Sequence, residues 1–225
     1  MTTPTIDAPV SQPKAEPKAE SFLDWFRINS RIVTIAAAIV AAAAFGFWFY
    51  NRSNVLKAEN ADRKLLAAKQ SLNSGTLPLA QSDLKKVADQ YGGTSAGAEA
   101  GMLLAQVKLE QNDNQGALTT LQGLAAKNSS GPYASAIRAL LGDTYSQLGK
   151  YAEAAAEYER ASQLSTAPNE RALLLAKIGR AQTAAGNAAK ARAAWEALVN
   201  QQDNAGLAAE ARVRLGELLA TAAKG

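Results

Sequence analysis

The sequence predicts an all-α protein with a single N-terminal transmembrane helix, an α-solenoid of four helix-turn-helix repeats and a C-terminal capping helix. Three observations predict this fold class. The 225 residues are 48% hydrophobic but only 6% aromatic, and their abundant alanine favours closely stacked helices around a thin core. One stretch of 19 residues carries no charge. From about residue 61 onward, the sequence aligns with itself at a period of 37 residues.

Two short segments precede the apolar stretch. Residues 1–20 contain four prolines among small polar residues, which predicts a disordered tail. Residues 21–31 place Phe22, Trp25 and Phe26 at roughly helical spacing. We therefore expect a juxtamembrane interfacial segment there, with a plain helical lead-in as the alternative.

Residues 32–50 form the uncharged stretch and are predicted to be a transmembrane helix. At about 1.5 Å per residue, a helix of this length matches a hydrocarbon core of about 30 Å. A long polar segment precedes it and no small-x-small cleavage site follows it, so we expect a retained anchor rather than a cleaved signal peptide. The expected interfacial anchors are Trp25, Arg27, Arg31, Trp48, Tyr50 and Arg52.

The orientation of the span does not follow from charge alone, because similar numbers of cations flank it on both sides. Large C-terminal domains can cross a membrane despite their charge, and Arg27 and Arg31 lie close to the span. We therefore expect a cytoplasmic N-terminus and a repeat domain on the other side.

Residues 51–225 are predicted to form the repeat domain, with repeats at about 61–94, 98–131, 135–168 and 172–204 and a cap at 205–223. One column contains Gly75, Asn112, Gly149 and Gly186, where the first helix of each repeat must end in a left-handed residue. Three other columns each keep one side-chain size, two of them small and the third large, and helices that pack closely need small residues beside large ones. They are Ala80, Ala117, Ala154 and Ala191; Ala68, Ala105, Gly142, Gly179 and Gly216; and Leu84, Leu121, Tyr158 and Trp195.

The third repeat resembles a tetratricopeptide repeat in its spacing of Leu141-Gly142, Tyr145, Gly149, Tyr151, Ala154, Tyr158 and Ala161. Tyr158 and Trp195 are therefore interpreted as core residues and not as a ligand stack. Ser129-Ser130 and Ser165-Thr166, each followed by a proline, are expected to cap the helices that come after them.

Enzymatic activity is disfavoured, because the chain has neither cysteine nor histidine. The carboxylates Glu153, Glu157 and Glu159 are expected on a solvated helix face beside Arg160, so they predict no catalytic site. No cofactor, metal or small-molecule substrate is expected. The 24 cations are interleaved with 20 anions, which argues against nucleic-acid binding despite the net charge of +4.

The whole layout resembles the YfgM-like family, the ancillary subunit of the bacterial SecYEG translocon. The most specific matches are Gly186-Asn187, the segment Ala191-Arg192-Ala193-Ala194-Trp195-Glu196-Ala197, and Phe22-Leu23-Asp24-Trp25-Phe26 ahead of the span. The resemblance implies a single-pass anchor in the inner membrane and repeats in the periplasm. It also implies association with the translocon and with a membrane-bound periplasmic chaperone.

The predicted function is that of an interaction scaffold that holds a protein partner or an emerging polypeptide on the concave face of the first helices. The alternative is a cell-envelope assembly factor serving peptidoglycan, outer-membrane or cytochrome-maturation machinery. The usual groove positions of such repeats correspond here to Leu65, Lys69, Leu72, Met102, Gln106, Leu109, Asp143, Gln147 and Arg180.

Overall fold

The computed structural model describes residues 30–200 and 204–222, and every regular element in these ranges is an α-helix. The all-helical fold class is therefore confirmed. The helices are α1 Ser30–Asn73, α2 Leu77–Tyr91, α3 Ser95–Glu110, α4 Asn114–Lys127, α5 Ala134–Gln147, α6 Tyr151–Leu164, α7 Pro168–Ala184, α8 Ala188–Val199 and α9 Ala205–Ala222.

The chain divides into two compact units, Met1–Asn54 and Val55–Gly225, and the division falls inside α1. In the first unit, the helix contains an apolar window with a mean hydropathy of 2.3, none of which is buried. By length and composition, this helix could cross a membrane. The predicted tail at 1–20 and residues 21–29 of the interfacial segment lie outside the described residues.

In the second unit, consecutive helices pair, and each pair is joined by a turn through a left-handed residue. The φ angles are 74° at Gly75, 62° at Asn112, 71° at Gly149 and 76° at Gly186. The period of 37 residues therefore predicted the end of each first helix correctly. Glycine has no Cβ to clash in this conformation, and asparagine is among the few other residues that tolerate it.

The core of the second unit repeats the predicted columns of small and large side chains. Ala80, Ala117, Ala154 and Ala191 are all fully buried, and so are Leu84, Leu121 and Trp195. Tyr158, at the remaining large position, is 4% exposed. Complete burial of a large apolar side chain contributes roughly 1.5–3 kcal/mol, so these contacts hold each pair of helices together.

Two glycines make room for the two aromatic residues of this core. A Cβ on Gly142 would lie 2.4 Å from Cε1 of Tyr158, and one on Gly179 would lie 2.5 Å from Cε2 of Trp195. The first two units place Ala68 and Ala105 at these positions, and leucines at the positions of the aromatic residues. In each unit, the size of the small residue on the first helix therefore matches the size of the large residue that packs against it from the second helix.

The helix starts differ from the predicted serine caps. Helix α5 begins at Ala134, after Tyr133, and its N-cap makes no side-chain hydrogen bond. Ser165 lies ahead of α7 but accepts a hydrogen bond from the Ala167 amide and donates to Glu170. The prediction of serine caps was therefore wrong, because α7 begins at Pro168 with Ala167 as its N-cap, and α5 begins two residues after Pro132 with Tyr133 as its N-cap. The serines lie ahead of both N-cap positions.

Glu157 also departs from its prediction as a solvated carboxylate. It is 7% exposed and accepts hydrogen bonds from Arg138, at 3.0 Å, and from Arg160. Glu153 and Glu159 are exposed, as expected. A carboxylate that is both buried and doubly paired connects α5 to α6 and has a structural role.

Candidate partner-binding groove

A groove of about 360 Å³ crosses the first helices of the second, third and fourth units, α3, α5 and α7. Its apolar lining includes Met102, Leu103, Leu140 and Leu173. Leu173 is 46% exposed, and the other three side chains are half-buried. Removing such surface from water is favourable by about 25 cal/mol per Å², so the binding of an apolar segment of a partner would be favoured here.

The position of these side chains follows from the helical repeat. Leu104 and Leu141 point into the core, where they are 3% and 2% exposed. Consecutive residues of an α-helix are rotated by about 100°, so Leu103 and Leu140 lie at the edge of the core stripe. The same sequence pattern thus builds both the core and the groove.

Ion pairs connect neighbouring first helices on this surface. Lys69 of α1 pairs with Glu99 of α3, and Lys177 of α7 pairs with Asp143 of α5 at 2.7 Å. Since these side chains are partly exposed, each pair contributes only about 0–1 kcal/mol. Their main effect is to fix the register of one unit against the next.

The second and third units lack such an ion pair at the equivalent place. The positions of Lys69 and Glu99 are occupied one unit later by Gln106 and Ala136, and both of these residues line the groove. The surface between α3 and α5 is therefore uncharged where its neighbour carries an ion pair.

A second cavity of about 360 Å³ adjoins the groove and shares Asp143 and Lys177 with it. Tyr158 donates a hydrogen bond of 2.7 Å to Asp143, and the Lys177 ammonium lies over the Tyr158 ring, 5.4 Å from its centroid. Burial raises the pKa of Tyr158, and the hydrogen bond to Asp143 raises it further. The tyrosine therefore remains a neutral donor.

Arg180 lines this second cavity and reaches the last helix, α9. Its guanidinium donates two hydrogen bonds to the Glu210 carboxylate. These bonds lower the pKa of Glu210 and raise the pKa of Arg180. Both groups therefore stay charged around neutral pH, and the pair joins the fourth unit to the cap.

Five of the predicted groove residues lie at or beside the groove. Met102, Gln106 and Asp143 line the groove, Arg180 lines the adjoining cavity, and Lys69 forms the ion pair with Glu99. These positions were predicted from the usual geometry of tetratricopeptide grooves, and the structure brings three of them together at one site.

The other predicted positions are displaced from the groove. Leu65 is 5% exposed and packs in the core with Leu84, because it lies on the same helix stripe as the buried Ala61. Leu72 and Leu109 are half-buried, and Leu109 packs against the core. Gln147 is exposed but does not line the groove.

Sequence reasoning missed nine of the twelve lining residues of the groove, among them Glu99, Leu103, Leu140, Leu173 and Lys177. A signal for them exists in the same period. Leu103, Leu140 and Lys177 occupy one column at 37-residue spacing, and Glu99 and Leu173 belong to another. Both columns contain apolar residues in some units and a charged residue in another, so side-chain size alone does not single them out.

The predicted membrane anchors are only partly described. Trp25 and Arg27 lie outside the described residues. Trp48 and Tyr50 are exposed on α1, and so are Arg31 and Arg52. In residues 30–200 and 204–222, no three His, Cys, Asp or Glu side chains are grouped so that they could hold a metal ion.

Comparison with protein families gives a match to the family described as "Tetratricopeptide repeat-like domain", over residues 24–130 and 60–180. Together these ranges include more than half of the chain. No curated protein sequence matches the chain.

Several solved structures have a similar fold. Nearly identical TPR-like repeats from a putative kinesin light chain of Podosopora anserina give a TM-score of 0.56 at 17% identity, covering 73% of this chain and 88% of theirs. PilF of Pseudomonas aeruginosa gives a TM-score of 0.56 at 19% identity, and the match covers 75% of this chain and 71% of PilF. MamA gives a TM-score of 0.53 at 21% identity, and the match covers 64% of this chain and 79% of MamA. At these identities, the likeness shows the fold alone.

Proposed function

The chain belongs to the tetratricopeptide repeat-like domain family, and from this we propose that it is a membrane-anchored scaffold that binds a segment of a protein partner in its groove. Folds of this family typically serve as protein-interaction scaffolds. The observation that carries the proposal is the apolar groove across α3, α5 and α7, with the exposed Leu173 in its lining. Exposed apolar patches bounded by polar residues are typical of protein-binding surfaces.

The anchor is the second part of the proposal. Apart from the half-buried Val33, the large apolar side chains of α1 between Ile32 and Tyr50 are exposed, as Phe47 at 68% illustrates. A helix with apolar side chains on all sides is stable when lipid surrounds it. We propose a single-pass protein of the bacterial inner membrane, with its N-terminus in the cytoplasm and its repeats in the periplasm.

At finer detail, we propose an ancillary subunit of the Sec translocon that links it to a periplasmic chaperone. The support is the resemblance of the whole layout to the YfgM-like family. The alternative is a cell-envelope assembly factor for peptidoglycan, outer-membrane or cytochrome-maturation machinery, which would use the same groove. The two proposals differ in the partner and agree on the binding surface.

Site-directed photocrosslinking tests both levels of the proposal. A photoreactive phenylalanine analogue at Leu173 should form adducts in intact cells, while the same analogue at the exposed Lys190 of α8 serves as the control. Translocon subunits or a chaperone in the Leu173 adducts would support the finer proposal, and wall or cytochrome machinery would support the alternative. Equal adducts at both positions, or none at Leu173, would refute the groove as the binding surface.

A further inference from the structure

Another pocket lies between α2, α3 and α4, and it shares no lining residue with the groove. Its volume is about 240 Å³. Leu104 and Leu124 contribute apolar walls, and three lysines, one from each helix, also line it: Lys85, Lys108 and Lys127. The lining contains one carboxylate, that of Asp89.

The pocket exists because small residues line it at three places. Gly101 lies on α3, and Thr120 and Gly123 lie on α4. A Cβ on Gly101 would lie 2.8 Å from Leu124, so this position is closed to side chains, whereas Gly123 has open space around it. The space next to Gly123 is therefore available to another molecule.

The next unit carries large charged residues at the same three places. Thirty-seven residues further on stand Arg138, Glu157 and Arg160, and Glu157 pairs with both arginines. There the arginine and glutamate side chains compensate one another's charges. In the pocket between α2, α3 and α4, the same three positions hold two glycines and a threonine, so the pocket stays open.

The lysines of the pocket are a second departure from the repeat. Lys85 and Lys108 stand where the next unit has Gln122 and Tyr145, and there the Gln122 amide donates a hydrogen bond of 3.1 Å to the Tyr145 hydroxyl. The next unit thus has a neutral, hydrogen-bonded pair of side chains at the two positions where this pocket has lysine ammonium groups. The position of Lys127 is likewise neutral one unit later, since it holds a leucine.

The present partners of these lysines leave part of their hydrogen-bonding capacity free. Lys85 pairs with Asp89, Lys127 donates to the Asp89 carbonyl at 3.4 Å, and Lys108 donates to the Gly116 carbonyl at 3.2 Å. Lys108 also lies 3.9 Å from the Asp113 carboxylate. Since an ammonium has three N–H donors, each lysine can donate further, and three cations face two carboxylates.

We propose that this pocket binds a phosphate group, either free or as the headgroup of a phospholipid. Three ammonium groups from three helices can donate to the oxygens of a tetrahedral oxyanion from different directions, and hydrogen bonds between charged groups are the strong ones. The pocket is smaller than the roughly 300–1,000 Å³ of typical ligand sites, so it fits a headgroup-sized ligand. Its excess of positive charge favours an anion.

The test measures phosphate binding to the full-length chain in a neutral detergent by titration calorimetry at low ionic strength. One set of titrations uses inorganic phosphate, and the other uses dihexanoyl phosphatidylglycerol. We expect saturable binding at one site for at least one of the two probes. A tighter site for the lipid would identify a headgroup pocket, and equal or tighter binding of inorganic phosphate would identify a site for free phosphate.

Three variants make the test specific. Lys108→Met removes one ammonium and keeps the apolar stem, and Gly123→Gln fills the open space with a neutral side chain. Each should weaken binding by about tenfold or more, because Lys108→Met removes a charge-assisted hydrogen bond and Gly123→Gln occupies the space that the phosphate group needs. Lys86→Met is the matched control, because Lys86 lies on α2 beside Lys85 but does not line the pocket.

The outcomes are distinguishable when the helical content of each variant is checked by circular dichroism. Weaker binding in the two pocket variants, with normal binding in the control, supports the proposal. Absence of saturable binding for both probes would overturn it. So would equal weakening in all three variants, which would indicate nonspecific attraction to lysines, or unchanged binding in the pocket variants.

Discussion

The fit between Gly142 and Tyr158 predicts an unusual response to a small substitution. In Gly142→Ala, the new Cβ would lie 2.4 Å from Cε1 and 2.5 Å from Cδ1 of Tyr158, closer than Cβ contacts in proteins allow. The ring cannot move away freely, because its hydroxyl donates to Asp143 and Lys177 lies over its face. Overpacking of this kind costs about 1–3 kcal/mol, so Gly142→Ala should unfold more easily.

Glycine to alanine normally has the opposite effect and stabilises a helix interior by about 0.8–1 kcal/mol. Gly216 supplies the matched control. It occupies the same column, lies within α9, and has open space where a Cβ would be added, with no atom within 4 Å. Gly216→Ala should therefore be neutral or stabilising, while Gly142→Ala should be destabilising.

A second substitution tests the cause. The first two units combine alanine with leucine at these positions, as in Ala68 with Leu84. Gly142→Ala combined with Tyr158→Leu copies that combination into the third unit. The loss of the Tyr158 hydrogen bond adds a cost of its own, so the expected result is a favourable coupling of about 1 kcal/mol or more in a double-mutant cycle.

Urea denaturation of the unit Val55–Gly225, followed by circular dichroism, measures all four variants of the cycle and the control. A Gly142→Ala variant as stable as the parent protein would refute the size-matching argument. Additive effects of the two substitutions, without coupling, would show that the ring and the glycine do not constrain each other.

Three further predictions concern the repeat unit. Val55–Gly225 alone should be soluble and nearly all-helical by circular dichroism, because its helices bury their apolar stripes against one another; substantial strand or coil signal would contradict this. Gly149→Ala should cost about 1–2 kcal/mol in urea denaturation, since its φ is 71°. Tyr158 has a raised folded-state pKa, so its neutral form stabilises the fold below the ordinary pKa of about 10, and that stability is lost at higher pH. The urea midpoint should therefore fall more steeply above about pH 10 in the parent protein than in Tyr158→Phe.

The features of the fold that could be predicted from sequence are those fixed by backbone sterics and side-chain size. A left-handed turn residue admits few side chains, so Gly75, Asn112, Gly149 and Gly186 identified the turns correctly. The helix starts were harder, because Thr94 and Asp113 cap α3 and α4 while the serines near the two prolines do not cap α5 and α7. Many polar residues can cap a helix, so the choice depends on where the chain turns.

The groove was only partly predictable, because its lining depends on small rotations of each first helix. Met102 and Asp143 line the groove, whereas Leu65 lies in the core, and the lining residue Leu173 was not among the predicted positions. A difference of one residue rotates a side chain by about 100° around the helix. The 37-residue period therefore identifies the groove-facing side of each helix only to within about one residue. The ion pairs that set the register of neighbouring units join residues of different columns, so the period does not predict them.

The contacts of Gly142 with Tyr158 and of Gly179 with Trp195 each lie inside one helical pair, so each of these two pairs is a size-matched cassette of 37 residues. Gain or loss of one whole cassette would preserve every such contact, because both partners move together. Deleting residues 132–168 would bring Gln106 opposite Leu173 in place of Ala136. Chains of this design can therefore change length, and acquire a different binding surface, without any compensating change in these glycine–aromatic contacts.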